Sequence, residues 1–100
     1  MKDIKDISRE DLETIKKLAM LKYTITQIAL LIGVCVADFR KSMLDTGSEV
    51  YKAYNAGKLE GQLAYRSNVL SQAQSGQQWA VEMLEKWEIS QKEEELGGQN

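Results

Sequence analysis

Three features of this 100-residue chain predict an all-α fold. Proline is absent, and alanine, leucine, lysine, glutamate and glutamine, which lose little on entering a helix, are abundant. Apolar residues recur at three- and four-residue spacing, the period of a half-buried helix. Breaks fall at Gly33, at residues 45–48 and at Ser75 with Gly76. Together they predict an N-terminal unit of three short helices, then a long-helix/short-helix antiparallel hairpin. The length allows one domain with a modest core.

The opening MKDIKDISREDLE is charged throughout and does not read as a signal peptide. Ser8, with Asp11 three residues on, resembles a capping box with Asp in place of Glu or Gln. The first helix is predicted over residues 9–21, with Ile15, Leu18 and Ala19 on one stripe, Leu12 and Leu21 extending it, and Glu13, Lys16 and Lys17 opposite. Lys22 and Tyr23 end it. Thr24 or Thr26 caps the second helix by accepting from a free first-turn N–H.

Residues 26–44, TQIALLIGVCVADFRKSML, organise the rest. Ile28, Ala29 and Ile32 share one face, and Val36, Phe39 and Met43 share another. Gly33 stands between them, where a helix ends most easily because glycine takes positive φ without Cβ strain. Val34 plugs the angle, and small Ala29 admits a close crossing. The pattern is that of a helix-turn-helix, whose second helix commonly enters a DNA major groove. With Phe39 inside, Ala37, Arg40, Lys41 and Leu44 form an outer stripe. Arg40 and Lys41 are then candidates for base edges or phosphates, arginine being suited to bidentate contact with guanine. Val36 and Ala37 are small enough to approach a thymine methyl, whereas Asp38 would repel phosphate. Lys22, Thr26 and Gln27 are candidate phosphate contacts at the start of the second helix. The alternatives are caps for Thr26 and Gln27 and a solvated face for Arg40 and Lys41. Cys35 falls at the N-cap of the third helix, where its thiol is a weak acceptor, and reads as a small, part-buried apolar residue.

Ser48 is predicted to cap the next helix, with Glu49 in its first turn. Residues 49–74 can form one long helix, in which Gly57 and Gly61 either introduce a kink or admit a neighbouring backbone. Leu59, Leu63 and Leu70 lie along one edge, and Tyr65, Val69 and Ala73 along another. After Ser75 and Gly76, Gln77 or Gln78 starts a short helix with Trp79, Ala80, Met83, Leu84 and Trp87 on one stripe. From Ile89 the apolar period is lost, and residues 89–100 read as an acidic, disordered tail.

The inventory removes several chemistries. With no histidine and one cysteine, neither a Cys/His metal site nor a Cys–His nucleophile can be built. There is no glycine-rich phosphate loop and no paired carboxylates outside solvated faces, so no enzyme, cofactor or metal is expected. No apolar run nears the roughly 20 residues that cross a bilayer, so no membrane partner is expected. The single cysteine suits a reducing cytoplasm. Net charge is −2, yet residues 75–100 carry two basic and six acidic side chains, which leaves residues 1–74 at +2. That is thin for a DNA-binding monomer, whose affinity rests largely on phosphate contacts, and oligomerisation would multiply it.

Following IALLIGV, the segment AYNAGKLEGQLAYRSNVLSQAQSGQQWAVEMLEKW has Ala-Tyr, Gly-Lys, Arg, Ala, Ser-Gly, Ala-Val and an aromatic in succession. Over residues 8–88 the chain resembles the small terminase subunits of tailed bacteriophages and related phage helix-turn-helix proteins. The resemblance implies a DNA-binding N-terminal domain, a helical hairpin that assembles subunits into a ring, and a C-terminal segment contacting the large, ATP-hydrolysing packaging subunit. It implies no enzymatic activity. Carried onto this chain, the recognition helix is residues 36–44, with Ala37, Arg40 and Lys41 exposed, and the assembly hairpin is residues 49–87. Ser42 departs from the aliphatic residue usually buried there, and adjacent Met43 can serve instead.

The expected organisation is a helix-turn-helix DNA-binding unit over residues 1–45, an oligomerising hairpin over 46–88 and the tail over 89–100. The expected partners are double-stranded DNA, further copies of the chain and a large terminase ATPase. The alternatives are a helix-turn-helix transcriptional regulator and a protein–protein adaptor that keeps the fold without binding DNA.

Overall fold

The computed structural model describes residues 1–97. Among these the chain is all-helical with no strand: a 3-10 turn at Ile4–Asp6, then α1 (Arg9–Met20), α2 (Ile25–Ile32), α3 (Val36–Met43), α4 (Glu49–Gln74) and α5 (Gln78–Gly97). Two compact units are formed. The first is Met1–Leu63 and the second begins at Ala64, so the division falls inside α4 and not at the break after α3. The start of α4 belongs with the first unit because Val50 is buried in its core and Ala53 and Tyr54 pack against it.

Local capping sets the helix limits of the first unit. The Ser8 hydroxyl accepts from the Asp11 N–H at 3.1 Å and the Asp11 carboxylate accepts from the Ser8 N–H at 3.0 Å, closing the capping box. Asp11 also receives Lys2 Nζ at 2.7 Å. That contact, and then the Ser8 backbone donor, hold its carboxyl below the usual carboxylate range. The Lys2 N–H donates to the Gly33 carbonyl at 2.8 Å, pairing Lys2 with Val34 in a parallel bridge. The N-terminal segment, to which sequence patterning assigns no structure, thus straps the helix-turn-helix corner. At its other end α1 stops in a Schellman turn, with Tyr23 N–H donating to Leu18 and Lys22 N–H to Ala19. Lys22 takes the left-handed position at φ 70°, where glycine is the easier residue.

The core is built from Ile15, Ala19, Ile28, Ala29, Val34, Phe39 and Val50. Leu21, predicted on the α1 stripe, is exposed because it lies beyond the last helical turn as the C-cap. α4 is continuous, and its glycines serve close approach. A Cβ at Gly57 would land on the Lys16 carbonyl and 2.9 Å from Ala19 Cβ, and one at Gly61 would lie 2.9 Å from the Met20 carbonyl oxygen. The C-terminal half of α1 therefore rests directly on the α4 backbone. Lys16 Nζ reaches Glu60 at 3.0 Å across this seam, which raises the lysine pKa.

In the second unit the rest of α4 and α5 form the antiparallel hairpin. Gly76, at φ 93°, ends α4, with Gln77 N–H donating to Gln72 and Gly76 N–H to Ala73. Val69 and Ala80 are buried. The Tyr65 ring meets Trp87 edge-on at 6.2 Å, and the Arg66 guanidinium lies 4.6 Å from the Trp87 ring centre. Residues 89–97 correct the expected tail: α5 runs unbroken to Gly97, while residues 98–100 lie outside the described residues. From Glu88 to Gly97 every residue is exposed, so no apolar stripe could announce this helix. Its Glu, Gln and Lys content favours helix, and Lys92 pairs with Glu88 at 3.3 Å across one turn. No helix among the described residues is long and apolar enough to cross a membrane.

Candidate nucleic-acid interface

The helix-turn-helix corner is set by four residues. Thr24, and not Thr26, caps α2. Its hydroxyl accepts from the Gln27 N–H at 3.1 Å, and the Gln27 side-chain carbonyl accepts from the Thr24 N–H at 3.0 Å. Gly33 ends the helix at φ 81°, and both Gly33 and Val34 N–H groups donate to Ala29. Val34 is buried in the angle and Phe39 is fully buried beneath α3. Cys35 stands at the α3 N-cap without a side-chain capping bond, and it is half-buried. In place of an aliphatic residue, Ser42 uses its hydroxyl on the Asp38 carbonyl, while its own carbonyl accepts from the Ser48 hydroxyl that caps α4.

This packing sorts the predicted contact residues. Ala37, Arg40 and Lys41 are exposed on the outer side of α3, together with Leu44 just past its end at 86 % exposure. Val36 packs against the core, so of the two small residues offered to a thymine methyl only Ala37 is presented. Lys41 borders a concavity where Asp3, Asp38 and Asp45 outnumber the one other cation, Lys5, which weakens its pull on an anion. Arg40 leans the other way: its Nη2 donates to the Thr26 hydroxyl at 2.8 Å. One predicted site residue is therefore braced by another, and the guanidinium keeps its remaining N–H donors for a partner. Gln27 keeps only its amide NH2 free, because its carbonyl is committed to the cap.

Lys22, Thr26 and Arg40 meet in a cleft of about 440 Å³ that also takes in Tyr23, Thr24, Tyr54, Lys58 and Gln62. Its charged lining is wholly cationic. Among the described residues none of Lys22, Arg40 and Lys58 has a carboxylate partner within salt-bridge distance. Lys58 Nζ instead lies 5.5 Å from the Tyr54 ring centre, a cation–π contact. The α4 contribution is absent from the sequence reading, yet a signal for it exists. Tyr54, Lys58 and Gln62 follow at four-residue intervals, which places them on one edge beside the Gly57–Gly61 face. Glycines that hold α4 against α1 necessarily bring that neighbouring edge to the turn after α1.

No three His, Cys, Asp or Glu side chains among the described residues come together where they could hold a metal ion. The arrangement offers hydrogen-bond donors and positive charge for a phosphate-bearing partner. No family model, curated protein or solved structure matches this chain.

Proposed function

We propose that this chain is a non-enzymatic subunit that binds double-stranded DNA through α3 and works as an oligomer, as a small terminase-like recognition subunit of phage genome packaging. The observation that carries the reading is that Phe39 is buried while Arg40, about 100° further round α3, stays exposed. The ring locks the helix across α2, while Arg40 stays exposed with its guanidinium braced on Thr26 at the start of α2. Arg40 and Lys41 reach base edges or flanking phosphates, Ala37 contacts apolar groove surface, and Lys22, Thr26 and the Gln27 amide take backbone phosphates. Repetition of the site in an oligomer compensates for the low net charge of each copy. A large ATP-hydrolysing packaging subunit is the partner that the resemblance suggests.

Arg40→Ala combined with Lys41→Ala is expected to weaken duplex binding at least about tenfold, or about 1.4 kcal/mol, at matched salt. Unchanged gel shifts reject the reading. One observation favours a protein adaptor instead: Leu44 stands nearly bare on the very face assigned to DNA. Light scattering at low salt, with and without duplex, separates the two, since an adaptor forms oligomers that ignore DNA.

A further inference from the structure

We propose that the cleft between the turn after α1, the start of α2 and the middle of α4 seats a phosphate group, as the DNA backbone presents it, with Lys58 of α4 as a ligand outside the helix-turn-helix. The inference rests on the DNA reading for the source of the phosphate but on the cleft itself for its chemistry.

Three cations from three different elements, Lys22, Arg40 and Lys58, converge on one concavity with no carboxylate in its lining. Like charges gathered this way repel one another, and an anion between them removes that cost. The neutral lining is suited to the same guest. Tyr23 and Tyr54 hydroxyls can donate. The Thr26 hydroxyl accepts from Arg40 and so keeps its own proton for a phosphate oxygen. Arg40 is held from behind by that bond, which orders its guanidinium before any ligand arrives. The Lys58 ammonium lies over the Tyr54 ring, a cation–π contact that restrains it. Because Gly57 and Gly61 fix α4 against α1, Lys58 is carried on a rigid element beside the α2 start.

A ligand of this kind adds one phosphate contact that is indifferent to base sequence. Removing it flattens the dependence of log affinity on log salt by about one. The test is duplex binding measured by fluorescence anisotropy over a salt series, for the full chain, Lys58→Gln and Lys52→Gln. Lys52 is on α4 but outside the cleft, paired with Glu49 at 3.7 Å, and serves as the control. In parallel, inorganic phosphate is titrated while the amide signals of Thr24, Ile25, Thr26 and Tyr54 are followed by NMR.

The expected result is that Lys58→Gln lowers the salt slope by about one and weakens binding about five- to tenfold on any duplex, while Lys52→Gln changes neither. If Lys58→Gln matches the parent in slope and affinity while the Arg40/Lys41 variant loses binding, the cleft proposal is overturned and the DNA reading stands. If no duplex binds at about 50 mM salt but phosphate moves those amides in the parent and not in Lys58→Gln, the DNA reading falls and the phosphate site stands. Absence of both responses overturns both.

Discussion

The carbonyl oxygen of Lys16 occupies the place that a Cβ on Gly57 would take. Alanine at this position gains about 1 kcal/mol of helix propensity but collides with backbone that cannot swing aside. Gly57→Ala is therefore expected to destabilise the first unit by about 1–3 kcal/mol net. Gly61→Ala, which meets one carbonyl at 2.9 Å, costs less. Urea denaturation followed by circular dichroism ranks the two, and a stabilised Gly57→Ala contradicts the seam.

Lys22 offers a case where stability and binding part company. An L-residue in the left-handed region costs roughly 1–2 kcal/mol, and glycine's greater freedom in the unfolded chain returns about 0.5–1 of it. Lys22→Gly should stabilise the fold by about 0.5–1 kcal/mol and at the same time weaken duplex binding, since the ammonium leaves the cleft. Thermal melts and anisotropy on the same samples read the two effects separately.

Acid sensitivity is expected to centre on the Lys2–Asp11 pair. The Asp11 carboxyl titrates below its ordinary range in the fold, first because of Lys2 and then because of Ser8. A group lowered in this way contributes stability that is complete above the ordinary carboxylate pKa and is lost as pH falls through the lowered value. Lys2→Met removes the largest cause. The Asp11 titration, followed through its carboxyl carbon by NMR, should then move up toward the ordinary range, and the share of stability that this carboxyl loses in acid should shrink, because the gap between its ordinary and its lowered value narrows.

Leu59 and Leu63, one helical turn apart on α4, are 64 % and 68 % exposed. An unpaired row of this kind is where self-association would bury area. Leu59→Gln combined with Leu63→Gln should lower the mass measured by light scattering toward that of one chain, with helix content unchanged. An unaltered oligomer mass would place the assembly surface elsewhere.

What could be read from the sequence divides along one physical line. Gly33, Val34, Phe39 and the Ser8–Asp11 box follow from interactions within a few residues of each other, so spacing alone specifies them. Helix α5 beyond Ile89 is not legible in the periodicity because it is held by propensity and by pairs such as Glu88–Lys92, which leave no apolar period. The strap from Lys2 to Gly33 and the entry of Tyr54 and Lys58 into the cleft depend on residues about 30 positions apart. Periodicity shows that α4 has several apolar faces but not which one α1 will take. The Gly57–Gly61 pair carried that information in a form that reads equally well as a kink.

The bond from the Lys2 amide to the Gly33 carbonyl makes a proton at the start of the chain a sensor for a corner that lies far along it. That proton is released to solvent only when the first residues peel away from the end of α2. Its deuterium uptake therefore clocks the opening of the helix-turn-helix corner at a single resolvable site. Slower uptake on adding duplex would reveal that a partner gripping α3 also quiets residues it never touches.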